Sequence, residues 1–176
     1  MEITMNTVME AILTRRSIRK FTDKPVPEEE LMDILKAATY APSGKNQQTW
    51  QFTAITNPQM IQKLIKAMGE VLENPDYTMY HPTAIILPSN LKDSPWGKED
   101  NSCALENIFL AAHSYGIGSV WINQLQGNCD KPAIREILRE CGVPENHVIY
   151  GLAALGYAAD PAPTEVTKKG VIKLVK

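Results

Sequence analysis

Only three cysteines, Cys103, Cys129 and Cys141, occur among 176 residues, widely spaced and with no CxxC pair. That excludes a disulfide framework and a cysteine zinc site, both of which need closer sets. Reduced thiols in or near the core are expected instead. Histidine is as sparse: His81, His113 and His147 are scattered, and no metal site is expected. No apolar run reaches the about 18 residues of a membrane-spanning helix. The net charge is −2, so the chain lacks the broad basic field of a non-specific nucleic-acid binder. Met1 to Thr14 carries Glu2 and Glu10, without the basic and apolar regions of a signal peptide, which predicts a cytoplasmic protein. P-loop, GxGxxG, GxSxG and HExxH motifs are all missing, which argues against a conventional kinase, Rossmann dehydrogenase or hydrolase.

What is present suffices for one compact domain over residues 1–176, since 44% of the residues are apolar. A chain of this size buries roughly 70% of its unfolded surface without a staple. Apolar spacing predicts a helix from Asn6 to Thr14, capped by Asn6 and striped by Val8, Ile12 and Met9 or Leu13. A second helix opens on Glu28-Glu29-Glu30, suited to the positive end of the dipole, and stops at Ala41-Pro42-Ser43-Gly44. Trp50 to Thr56 reads as a strand, Pro58 to Leu72 as a helix, and Thr83 to Leu87 as a buried strand. Ser89 to Lys98, rich in Asn, Asp, Ser and Pro, reads as a surface loop. The helix from Asp100 to Tyr115 has an apolar face wide enough to be buried in the domain or shared with a second subunit. Ser119 to Ile122 is a strand, Pro132 to Glu140 a helix capped by Asp130, and Val148 to Gly156 a last strand. Helices alternating with short strands give an α/β or α+β class with a central sheet.

Three polar stretches could carry chemistry. Arg15-Arg16-Ser17-Ile18-Arg19-Lys20 places four cations in six residues after a helix C-terminus. It is either a solvated basic turn at the negative end of the dipole or a clamp for phosphate or carboxylate. The loop from Ala41 to Trp50 is dense in amides and can orient a flat heterocycle by hydrogen bonding, yet offers no acid or base. Gly116, Gly118, Asn123 and Gln124 flank a strand; glycine there suggests close backbone approach, while a helix C-cap explains Gly116 equally well. With no acid–base set, the simplest enzyme built from these parts leaves its reaction to a cofactor.

Read together and in order, four segments resemble the nitroreductase family of flavin-dependent oxidoreductases: Arg15 to Phe21, Ala41 to Phe52, Asp100 to Ile122 and Gly151 to Gly156. The resemblance implies an α+β fold whose mostly antiparallel central sheet is flanked by helices. It also implies an intertwined homodimer with non-covalent FMN at the subunit interface. The tail, about residues 161–176, then packs on the partner subunit. Electrons pass from NADH or NADPH to nitroaromatic, quinone or similar acceptors by a ping-pong route. A reductive dehalogenase-like flavoenzyme and a non-catalytic FMN-binding module are the alternatives. By position, Arg15, Arg16 and Ser17 match the phosphate segment, and Arg19 the cation beside the flavin pyrimidine edge. Pro42, Ser43, Gly44, Asn46 and Gln48 match the loop that reaches the ring from the other subunit. Asn123 and Gln124 match the pair whose backbone amides approach the ring, and Lys168 or Lys169 the basic cap on the phosphate. Thr49 stands where the family commonly has proline.

Overall fold

The computed structural model describes residues 6–176; the first five residues of the opening stretch lie outside it. Helices α1 (Thr7–Thr14) and α2 (Glu28–Thr39) come first, followed by a single 3₁₀ turn at Gly44–Asn46. Then follow β1 (Trp50–Ile55), α3 (Pro58–Val71), β2 (Ala84–Leu91), α4 (Gly97–Ser114) and β3 (Gly118–Ile122). The chain finishes with α5 (Pro132–Glu140), β4 (His147–Val148), β5 (Leu152–Gly156) and an exposed tail.

The strands form one sheet in the order β1-β2-β5-β3, with β4 also on β2 and every ladder antiparallel. This settles the class as α+β. Alternate residues of the central strands feed two cores, as a pleated sheet requires. Ile85 and Leu87 of β2 and Leu152 and Ala154 of β5 pack with α3 and α5. Ile86, Ala153 and Leu155 pack on the other face with α2 and α4. Ala104, Leu105, Ile108, Phe109 and Ala112 of α4 are buried within this single chain. The wide apolar face of α4 is therefore spent inside the domain. The exposed apolar face belongs to α1, which is capped by Asn6 as expected but buries none of its residues.

Three expectations are corrected. Ser89 and Asn90 are not in a surface loop: both are fully buried and continue β2, and α4 opens three residues early, at Gly97. Their polar atoms find partners in the protein: Ser89 Oγ lies 3.0 Å from His147 Nδ1, and Asn90 Oδ1 accepts from Thr49. The last strand is broken. Between the Ile86↔Ala153 and Asn90↔Val148 pairs, the 148–153 side has one extra residue, a bulge that separates β4 from β5. Pro88 sits in β2 opposite this break, where a missing N–H is tolerated. Asp130 does not cap α5, whose N-cap is Lys131; its carboxylate pairs with Lys92 and Arg135 instead. Among the cysteines, Cys129 is buried and Cys141 half-buried, but Cys103 is exposed on α4; all three are free.

Candidate functional site

The basic segment leaves α1 and lies against the start of β3. Ser17 bridges Ser119 in parallel, and Ile18 N donates to Ser119 O at 2.9 Å. Gly118 makes this possible, because a Cβ there would stand 2.9 Å from Ile18 Cγ1. Phe21 bridges Ala158, so the far end of the segment is pinned beside β5.

Its side chains are disposed in three ways. Arg15 is held: its guanidinium lies 5.8 Å from the centre of the Phe109 ring, with Glu106 at 3.9 Å, and Phe109 in turn stacks at 6.1 Å on Trp121. Arg16 donates to the carbonyls of Leu13 and Arg15 at the end of α1 and of Pro163 and Thr164 in the tail. Arg19 and Ser17 are exposed, and their side chains have no protein hydrogen-bond partner among the described residues. Thr14 Oγ1 meets His113 Nε2 at 2.8 Å, and with Arg15, Arg16 and Gly118 these residues line a cavity of about 200 Å³. Asn123 and Gln124 follow the end of β3, roughly 13 Å from Ser119 at the rise of an extended strand. Asn123 Oδ1 accepts from the Trp121 indole at 3.3 Å. Ser17 thus lies beside the start of β3, Arg19 between it and the Phe21–Ala158 bridge, and Asn123 and Gln124 just past the strand's other end.

The amide loop is elsewhere. Pro42 to Gln48 lies across the N-terminal turn of α4, where Gly44 N donates to Asp100 Oδ1 at 2.8 Å. Lys45, Asn46 and Gln48 all have left-handed backbone, at φ 51°, 55° and 50°. Such a run of non-glycine residues is strained, and strain of this kind gathers at functional sites. Gln48 N donates to Ser43 Oγ at 3.2 Å and Gln48 Nε2 to Asn46 Oδ1 at 2.7 Å, so the loop's amides are organised among themselves.

Helix α4 separates the two groups. At about 3.6 residues per turn, Asp100 and Phe109 are two and a half turns apart and face opposite sides of a rod about 10 Å thick. The amide loop holds the Asp100 side, and Arg15 holds the Phe109 side. Lys168 and Lys169 lie on the exposed tail, which Arg16 holds at Pro163 and Thr164. The sequence reading overlooked Asp100, Trp96 and Trp121, which support the site residues from behind. An acidic residue in a first helical turn and an aromatic before a helix are ordinary features, so no local signal marked them.

Among the described residues, no three His, Cys, Asp or Glu side chains gather as a metal site, and no helix is long and apolar enough to cross a membrane.

Comparison with known proteins places residues 12–157 within the nitroreductase family. The chain is 37% identical over 162 residues to a protein of Archaeoglobus fulgidus named "Putative NADH dehydrogenase/NAD(P)H nitroreductase", spanning 89% of this chain and 88% of that one. It is 29% identical over 164 residues to the NADPH-flavin oxidoreductase of Vibrio harveyi, spanning 87% of this chain and 66% of that one. In structure it is similar to a nitroreductase with bound FMN from Bacteroides fragilis. The TM-score is 0.89 at 38% identity, covering 98% of this chain and all of the other. The chain belongs to the nitroreductase family.

Proposed function

We propose that the protein is a homodimeric FMN-dependent oxidoreductase. It takes electrons from NADH or NADPH and delivers them to nitroaromatic, quinone or related electron-poor acceptors in a ping-pong sequence. The observation that carries this reading is the division of the polar groups by α4. A held arginine and free donors lie on one side, and an organised amide loop lies on the other. One chain cannot close both around one ligand, whereas a two-fold dimer sets the basic segment of each chain against the loop of the other. The donor set also fits FMN, with cationic and hydroxyl donors for a phosphate, amides for a flat heterocycle, and no protein acid or base required.

Bound FMN supplies the hydride and electron transfer that no side chain here can perform. The chain's residues bind and orient. Arg15, fixed against Phe109 and Glu106, and Ser17 hold the phosphate. The unpartnered guanidinium of Arg19 is suited to the pyrimidine edge, where it would stabilise the negative charge that reduction brings. The backbone amides of Asn123 and Gln124 approach the ring from the end of β3. Ser43, Asn46 and Gln48 of the second chain complete its hydrogen bonds, with Pro42 and Gly44 shaping that loop. Arg16 ties the base of the tail to α1, so that Lys168 or Lys169 can extend over the partner and cap the phosphate.

The test is direct. Purified protein should be yellow, dimeric and loaded with one FMN per chain. Anaerobic mixing with NADH or NADPH should bleach it, and a nitroaromatic or quinone should restore the colour. A colourless protein that takes up no FMN would overturn the reading, and tight FMN that neither nicotinamide bleaches would favour a binding module.

A further inference from the structure

The amide loop ends at Thr49, where proline is common in the family and where this chain has a hydroxyl. Thr49 Oγ1 donates to Asn90 Oδ1 at 2.7 Å. Asn90 is fully buried in β2, directly opposite Trp50 in the ladder. Its Oδ1 also accepts from Leu91 N at 2.9 Å, and its amide nitrogen faces Asn101 Oδ1 at 3.4 Å. Asn101, buried on α4, donates onward to Pro88 O at 3.1 Å. The other end of the loop is fixed by the neighbouring residue of the same helix. Asp100 is only 4% exposed and accepts the 2.8 Å bond from Gly44 N. Trp96, just before α4, closes over Gly44 so tightly that a Cβ there would lie 2.4 Å from the ring. Lys45 Nζ rests 5.2 Å from the centre of the same ring.

Between these two fixed ends lie the three left-handed residues Lys45, Asn46 and Gln48. Such a turn relaxes unless its surroundings hold it. We infer that Thr49 and Asp100 are positioning residues: through Asn90 and Gly44 they clamp the strained turn, and so set the orientation in which Asn46 and Gln48 meet the flavin. In this chain, the Thr49–Asn90 bond does with a hydrogen bond what proline's fixed φ does by covalent constraint. Neither side chain needs to touch the cofactor.

The inference rests on the FMN reading above, and its test separates the two. Thr49→Val and Asp100→Ala remove one clamp each, while Thr49→Ser and Asp100→Asn keep the donor and the acceptor. Apoprotein of each variant is titrated with FMN by fluorescence quenching, and the visible circular dichroism of bound flavin is recorded. Valine and alanine should weaken FMN binding about tenfold, the effect of one lost hydrogen bond, and alter the dichroism. Serine and asparagine should restore both to within about twofold of the parent. If Asp100→Ala fails to fold, the near-isosteric Thr49→Val decides alone. Melting points that fall while affinity and dichroism stay at parental values would make the clamp merely structural and overturn the inference. Parent protein that binds no FMN would instead sink the functional reading.

Discussion

The indole of Trp121 lies on the backbone of Gly151, so close that a Cβ at residue 151 would stand 2.4 Å from Nε1. Trp121 stacks on Phe109, and Phe109 carries Arg15. Gly151→Ala therefore has to lift Trp121 or bend the bulge between β4 and β5. The expected cost is about 1–3 kcal/mol of stability, as for other overpacked sites. FMN affinity should fall as well, because Arg15 loses its backing. Thermal melts and apoprotein titration check this, and a parental affinity would show that Arg15 is positioned without the aromatic stack.

Arg15 and Arg19 should separate binding from reduction. Arg15 is held by a ring face and a carboxylate, whereas Arg19 is exposed and its side chain has no hydrogen-bond partner among the described residues. Arg15→Ala should weaken FMN binding by about tenfold or more, the scale of a lost charge-assisted contact to phosphate. Arg19→Ala should leave affinity within about threefold and slow anaerobic reduction more strongly. Titration and stopped-flow mixing with NADH or NADPH measure the two effects. Equal losses in both steps would abolish the division of roles.

Much of this arrangement is legible in the residues, and the illegible parts share a cause. Asn6 and Pro58 announce helix starts through local chemistry, and α1 and α3 begin where they indicate. The Arg15 and Ser43–Gln48 segments stand out because donors cluster there, although a solvated turn would also explain each, and only their joint order along the chain tips the reading. Ser89 and Asn90 deceive because polarity reads as exposure. Only their distant partners, His147, Thr49 and Asn101, make burial affordable. The break at Ile149–Gly151 is hidden similarly, since Gly151 there packs under a tryptophan thirty residues earlier in the chain. Local pattern reveals each element, but not which buried polar groups will find one another.

His147 gives a pH dependence. It is 8% exposed, with Ser89 Oγ at Nδ1 and Arg135 donating to its carbonyl. Burial, and then the charge of Arg135, hold its pKa below the ordinary 6.5. The unfolded chain thus takes up a proton near 6.5 that the native fold still refuses. Its contribution to stability is complete above that pH and is lost as the pH falls through the gap. The melting temperature should drop as the pH falls below about 6.5, and His147→Gln should flatten that slope. An unchanged slope in the variant would assign the acid sensitivity to other groups.

Arg16 should matter to the tail more than to the cofactor. Its bonds to Leu13 O at 2.7 Å and Pro163 O at 3.1 Å join the end of α1 to the start of the tail. Arg16→Ala should make the chain beyond Pro163 several-fold more sensitive to limited proteolysis, while FMN affinity falls by less than for Arg15→Ala, through the loosened lysine cap alone. A loss of affinity as large as that of Arg15→Ala would place Arg16 on the phosphate itself.

The last prediction concerns α1, where Val8, Met9, Ile12 and Leu13 are 62%, 47%, 47% and 51% exposed. An eight-residue helix is marginal in isolation and needs an apolar surface to lie on. A second copy of the chain would supply one, since the proposed site already requires two. Burying one such side chain is worth about 1.5–3 kcal/mol, so Ile12→Glu should weaken dimer association by about tenfold to a hundredfold. Because each flavin would bind across the interface, FMN should dissociate on dilution together with the dimer. Sedimentation and flavin fluorescence, followed over the same dilution series, test the coupling. A variant that stays dimeric with FMN retained would show that α1 lies outside the interface.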